Sequence, residues 1–251
     1  MDLLASEWIK TRSIRTTWVL AAGTVLVTVV VSLLGISGLQ ADWQADLPAD
    51  FDPTGVSFKG ILVGQILVAT LGAQAFTSEY ATGQIVTSLT IAPRRAILLV
   101  TKLGVTALVA LATAVLAVVC SLGASQAALA AAGLPTADLT DADSVRAVLC
   151  AIGYLVLTAV LGVALGAITR SSSGALAVVV TVALLVPALA PGLPGALGEL
   201  AGTYWPTTAG QASYTTTGTG VLTGPAGLAV MAVFTLWTTL AAHITLRTRD
   251  A

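Results

Sequence analysis

An all-α membrane protein with six transmembrane helices is the fold this sequence predicts, and three observations predict it. Charged residues make up 9% of the 251 and the mean hydropathy is +0.94, whereas a soluble domain carries about 25% charge. Those few charges are placed so that long intervals hold none. Lys and Arg also fall almost wholly on one side of the alternation that the intervals define.

The uncharged intervals hold 26 residues between Arg15 and Asp42, 19 between Lys59 and Glu79 and 35 between Lys102 and Asp138. They hold 23 between Arg146 and Arg170, 28 between Arg170 and Glu199 and 47 between Glu199 and Arg247. A helix needs about 20 apolar residues to cross a hydrocarbon core about 30 Å thick, so each interval holds one span. The expected spans are 18–39, 56–76, 98–122, 148–168, 174–190 and 228–246, in a single transmembrane domain over 1–251. The second is the least apolar and carries Gly64 and Gln65, with Lys59 able to snorkel from its outer end. The third interval exceeds one crossing, so 123–133 is expected to continue that helix outside the bilayer or to lie in the interface. The first apolar segment is longer than the core of a cleaved export signal, about 7 to 15 residues.

Ahead of the first span, DLLASEWIKTRSIRTT (2–17) can place Leu4, Trp8 and Ile9 on one apolar helical face while Lys10, Arg12 and Arg15 gather toward the membrane. That pattern reads as an interfacial helix with Trp8 at headgroup level and its cations near anionic lipid, or as a simple topogenic charge cluster. Sidedness follows from the basic residues, which are held on the cytoplasmic face. Nine share one side: Lys10, Arg12, Arg15, Arg94, Arg95, Lys102, Arg170, Arg247 and Arg249. Only Lys59 and Arg146 fall on the other, with eight acids. Both termini are therefore expected in the cytoplasm, in a multi-pass membrane protein.

The composition excludes several functions. With 11 Lys and Arg against 12 Asp and Glu there is no broad basic surface for nucleic acid. The single histidine, His243, stands at a helix end, and no HExxH, CxxC or GxSxG pattern occurs. Cys120 and Cys150 read as packing residues and are too few for a metal site. The chain is not expected to be an enzyme or to hold a cofactor. A P-loop needs Gly directly before Lys, and the three lysines follow Ile9, Phe58 and Thr101. Any ATP-driven role requires a second polypeptide. Every carboxylate maps to a loop, with Glu199 the one exception to weigh, which argues against an ion-coupled secondary carrier.

Two connections carry more information. In SEYATGQIVTSLTIAPRRAILLVTK (78–102), Glu79, Gly83, Thr87 and Thr90 are spaced four, four and three apart, while Thr82, Ile85, Val86, Leu89 and Ala92 fill the opposite face. An amphipathic helix over 78–92 is expected, capped by Ser78, with Glu79 at the positive end of its dipole and Pro93 as its stop. The stretch 187–227 holds Pro187, Pro191, Pro194, Pro206 and Pro225 among many Gly and Thr, with one charge. Such backbone at membrane depth needs protein or a watery cavity to satisfy it, so a shallow outer re-entrant hairpin and an ordered outer loop are both open. Gly162 and Gly166 form a small-xxx-small pair suited to close helix packing.

SEWIKTRSIRTTW (6–18) resembles the start of actinobacterial ABC-2-type permeases. SEYATGQIVTSLTIAPRRAILLVTKL (78–103) resembles the family's segment after the second helix, with its Glu-Tyr, its Gly three residues on and its Pro-Arg-Arg before the third. The resemblance implies an ABC-2, type V exporter-like fold. It also implies a permease that pairs with a separate ABC ATPase subunit, which would hold ATP and Mg, and with a second permease as homodimer or heterodimer across the first and fifth helices. Glu79, Tyr80 and Gly83 would then lie in a coupling helix docked to that ATPase, and Trp8, Lys10, Arg12, Arg15, Arg94 and Arg95 would anchor the protein at the lipid interface. The cargo of such an exporter would be an amphipathic or hydrophobic compound, such as a drug, natural product, lipid or peptide. The substrate-contacting residues are not given by the sequence. An ion-coupled secondary carrier and a non-transporting scaffold or sensor are the alternatives.

Overall fold

The computed structural model describes residues 2–45, 47, 51–85, 95–216, 222 and 224–248. Among these residues there are helices and no strands, and six of the helical stretches are long and apolar enough to cross a membrane.

Helix α1 (Asp2–Ser13) stops at Ile14, and α2 (Arg15–Ala45) begins at once. The indole Nε1 of Trp18 donates to the carbonyl of Arg12 at 2.9 Å, which fixes the elbow between them. A short α3 (Pro53–Val56) follows, started by Asp52, whose carboxylate accepts from the amides of Thr54 and Gly55. Proline at its first position suits this turn, because its missing N–H would be unpaired there anyway.

The second span, α4, runs Ile61–Thr82 rather than over the expected 56–76. It starts later because α3 is a separate, capped turn. It ends later because a charged residue, Glu79, is carried inside the helix. Gly83 then stops α4 in the left-handed region at φ 71, which glycine adopts without Cβ strain. Helix α5 (Arg95–Ala131) continues without a break through 123–131. Its 37 residues make it about 55 Å long at 1.5 Å each, longer than one crossing needs. It closes with the amide of Leu134 donating to Leu129 and that of Gly133 to Ala130, a Schellman pair whose two leucines are buried together.

Helix α6 (Ala142–Thr169) and α4 form the centre of the bundle and are its two most buried spans. They touch backbone to backbone. A Cβ on Gly162 would stand 2.0 Å from the carbonyl oxygen of Ala69, and one on Gly166 would stand 2.4 Å from that of Ala73. The small-xxx-small pair is thus engaged within the chain.

The fifth span, Ser172–Gly192, is not one regular helix. Helix α7 (Ser172–Val180) passes into a π turn over Thr181–Leu185, then α8 (Val186–Leu189) and a 3-10 turn. Pro187 accounts for the break, because it offers no N–H to the carbonyls four and five residues back, Ala183 and Val182. Side chains from elsewhere serve those carbonyls instead. Trp205 Nε1 donates to Val182 at 2.7 Å, Thr207 Oγ1 to the same oxygen at 3.1 Å, and Gln65 Nε2 to Ala183 at 3.5 Å. Between that 3-10 turn and Thr216 lie two short helices, α9 (Ala196–Tyr204) and α10 (Pro206–Ala212). Pro206, Thr207, Ala209 and Gly210 of α10 are buried. The last span is α11 (Pro225–Thr248), whose Gly227 lies against the carbonyl of Ala209.

Candidate functional site

Four charged side chains from three helices meet where α1, the last turn of α4 and the second turn of α5 come together. Glu7 and Lys10 sit three residues apart on α1, Glu79 is three residues from the end of α4, and Lys102 is seven residues into α5. Lys102 Nζ donates to Glu7 Oε2 at 2.8 Å and to Glu79 Oε1 at 2.8 Å. Lys10 Nζ donates to Glu7 Oε1 at 2.9 Å and to Glu79 Oε1 at 3.0 Å. The result is a closed ring of alternating charge. Glu7 and Glu79 are 4% exposed and Lys102 is 3% exposed, whereas the Lys10 side chain keeps 42%.

The electrostatics follow from that geometry. A carboxylate in the last turn of a helix faces the negative end of the dipole, a penalty of about 0.3–1 kcal/mol. Two ammonium groups at hydrogen-bond distance outweigh it, and stranding one member of a buried pair would cost about 3–5 kcal/mol. Lys102 also stands 5.4 Å from the ring centroid of Phe76, so its remaining face is not bare. For Lys10 burial is the largest influence and lowers its pKa, but the hydrogen bonds and charges of Glu7 and Glu79 together raise it above the ordinary lysine value. The second oxygen of Glu79, Oε2, is buried without a hydrogen-bond partner. A cavity of about 260 Å³ adjoins the ring, lined by its four residues together with Gln74, Ser78, Gln84, Ile14, Leu71 and Val105 among others.

The expected coupling helix is corrected at its start. Ser78 caps nothing: its hydroxyl donates back to the carbonyl of Gln74 at 2.6 Å, and Ser78 and Glu79 belong to the final turn of α4. Glu79 therefore lies at a helix C-terminal end, with its carboxylate turned into the ring. The exposed surface of this turn is Ala81, Thr82, Gly83 and Gln84, and a Cβ on Gly83 would meet no atom within 4 Å. The rest of the expected helix, 86–92, falls outside the described residues, as do Pro93 and Arg94. The expectation that every carboxylate but Glu199 lies in a loop is likewise corrected. Glu79 is inside a span, while Glu199 is exposed on α9.

The other anticipated residues are dispersed around this end. The ring of Tyr80 faces the guanidinium of Arg170 at 5.2 Å, and Arg170 caps α6 at φ 55. Arg95 donates Nη1 to the carbonyl of Leu246, joining the start of α5 to the last turn of α11. Trp8, Arg12 and Arg15 are exposed, as are Leu4 and Ile9 on α1. Glu7 and Lys102 were not anticipated as partners. The available signal was that Lys102 lies inside the expected third span, where an ammonium needs a counter-charge.

At the opposite end, Asp52 also accepts from the amide of Thr216 at 2.7 Å, tying the segment before α11 to the start of α3. Between the two ends, Tyr154 of α6 donates its hydroxyl to Gln65 Oε1, and Gln211 Nε2 reaches the Tyr154 oxygen at 3.5 Å. Both cysteines are free thiols. Among the described residues no group of His, Cys, Asp and Glu is arranged to hold a metal ion. Compared with known proteins, the chain matches no family model and no curated sequence.

Proposed function

We propose that the chain is the permease subunit of a bipartite ATP-binding cassette exporter of ABC-2 type, which moves an amphipathic or hydrophobic compound across the bacterial cytoplasmic membrane. The ATP and Mg belong to a separate ATPase subunit, and this chain performs no covalent step. One observation carries the reading: a single carboxylate, Glu79, joins the N-terminal helix α1 to the spans α4 and α5, directly before the exposed turn at Gly83.

In this reading the ATPase docks on the connection 83–94 and Glu79 works behind that surface rather than on it. Motion of the docked partner reaches α4 first, and the charge ring makes α1 and α5 follow as one body. The helix ends gathered here carry Lys10, Arg12, Arg15, Arg95, Lys102, Arg170 and Arg247, which supports a cytoplasmic position by the positive-inside rule. Exposed Leu4, Trp8 and Ile9 on α1 suit an interfacial position. Helices α9 and α10 are proposed as an outer re-entrant hairpin, since α10 packs against Tyr154, about 18 Å along α6 from its start. Largely uncovered apolar faces on α2 and α7 would supply the seam with a second permease.

Affinity purification of the full chain from its native membrane tests the proposal, with an ATPase expected to copurify in near-equal amount. Transport that proceeds without such a partner and stops when the ion gradient is collapsed would sink it. That outcome belongs to the one competing reading with an observation behind it, an ion-coupled carrier, which the ionisable Glu79 and Lys102 inside helices would serve.

A further inference from the structure

The amide of Val186 can be served by either of two carbonyls, and the fifth span uses the further one. A regular α-helix would pair it with Val182, four residues back. Here it donates to Thr181, five back, which makes Thr181–Leu185 a π turn. Val182 is then left with no amide at all, because the residue five positions on is Pro187. Trp205 Nε1 at 2.7 Å and Thr207 Oγ1 at 3.1 Å serve its carbonyl instead. Without those two donors it would be an orphan at membrane depth, which the α register cures by returning the Val186 amide to it.

Both donors sit on a separate piece of chain. Thr207 belongs to α10 and Trp205 precedes it, and the piece joins the span through α9, none of whose residues is buried. Helix α10 is seated by Ala209 against Gly227 and by Gly210 against the Tyr154 ring. That seat leaves one polar group unserved, since Thr208 keeps a buried hydroxyl with no hydrogen-bond partner. Withdrawal of α10 would free this hydroxyl and remove both donors from Val182 together. The burial pattern of the span already carries the mark of the extra residue. Leu176 and Val180, ahead of the turn, are exposed four apart, and the next exposed leucines, Leu185 and Leu189, follow five and then four residues on. Closing the turn to α register would bring the outer half round by one residue, about 100°. Leu184 and Ala188 would then lie where Leu185 and Leu189 lie now.

We propose that the fifth span is a two-register switch latched by α10. With α10 seated, Trp205 and Thr207 hold Val182 and the π turn persists; with α10 withdrawn, Val186 pairs with Val182 and the span turns by one residue from Val186 outward. The inference stands apart from the transporter reading, because its test contains neither an ATPase nor a transport step.

Single cysteines at 176, 180, 184, 185, 188 and 189, in the full chain lacking Cys120 and Cys150, are spin-labelled in lipid nanodiscs, and collision with dissolved oxygen is measured at each. In the otherwise native chain Leu185 and Leu189 should share one phase of the resulting periodicity with Leu176 and Val180. Trp205→Phe combined with Thr207→Val removes both donors at nearly constant volume. That phase should then pass to Leu184 and Ala188, a displacement of one residue, with Leu176 and Val180 unchanged. Gly210→Ala reaches the same state with both donors intact, because a Cβ there would stand 2.6 Å from the Tyr154 ring and force α10 off its seat; it carries the test if the double variant does not fold. A phase that stays on Leu185 and Leu189, or a periodicity lost beyond the turn because the span merely loosens, overturns the proposal.

Discussion

Replacing Lys102 by methionine removes the most deeply placed charge of the ring and keeps most of its packing volume. Lys102 makes two ion pairs at 2.8 Å and is 3% exposed, so its loss leaves Glu7 and Glu79 facing one another with Lys10 as their one shared partner in the ring. Breaking a buried pair costs about 3–5 kcal/mol. For a chain of 251 residues each kcal/mol moves the midpoint by about 2–4 °C, so a fall of about 6–20 °C is expected. Lys10 offers the control, because it bridges the same two carboxylates at 2.9 and 3.0 Å with a side chain 42% exposed. An exposed pair contributes about 0–1 kcal/mol, so Lys10→Met should shift the midpoint by no more than about 4 °C. Thermal unfolding in detergent, followed by tryptophan fluorescence, reads both variants. A Lys102→Met, Glu7→Gln double variant relieves the stranded charge and should recover part of the loss. Equal shifts for the two lysine variants, or no recovery in the double variant, would refute the argument that burial decides the ring's strength.

Three further outcomes are expected. Single cysteines at Gly83 and Arg170, in a background lacking Cys120 and Cys150, should resist an impermeant thiol reagent in intact cells while one at Asp141 reacts; labelling at Gly83 from outside contradicts the proposed sidedness. A Cβ at Gly83 meets no atom within 4 Å and the left-handed backbone there costs a larger residue about 1–2 kcal/mol, so Gly83→Trp should fold and insert yet lose partner-dependent transport in reconstituted vesicles; full activity would show that the turn docks nothing. Lys10 has a folded pKa above its ordinary value, so its contribution to stability is complete below the unfolded lysine value and fades as pH rises through the folded one. Lys10→Gln should therefore show a shallower alkaline decline in midpoint than the native chain, and parallel curves would count against the pairing.

The six spans were legible because apolar intervals and helix length obey the same bilayer thickness. Their ends were not, and Glu79 shows why. Reading spans from charge-free intervals makes every charge a boundary, yet Glu79 and Lys102 are charges inside helices, made tolerable by each other across 23 residues of sequence. Each looks like a terminus until its partner is known. The turn at Gly83 misled in a related way: a serine followed by an acid reads as a helix start, but the same residues can finish one when a glycine follows in the left-handed region. Glu7 carried no periodic signal, since its meaning depends on Lys102, 95 residues away. Gly162 and Gly166 were the reverse case, because a pair of small residues four apart has one physical use, and α4 supplies it.

The π turn of the fifth span bears on the order in which the protein is made. Its Val182 carbonyl is served by Trp205 and Thr207, which leave the ribosome after the span itself, and its Ala183 carbonyl by Gln65, which leaves it long before. During synthesis the stretch around Pro187 therefore reaches the membrane with polar backbone not yet covered by α10. Closure of this helix's backbone is therefore not local: it is completed only when the following segment folds back against it. A chain truncated after Leu193 would lack that closure, whatever the apolarity of the span.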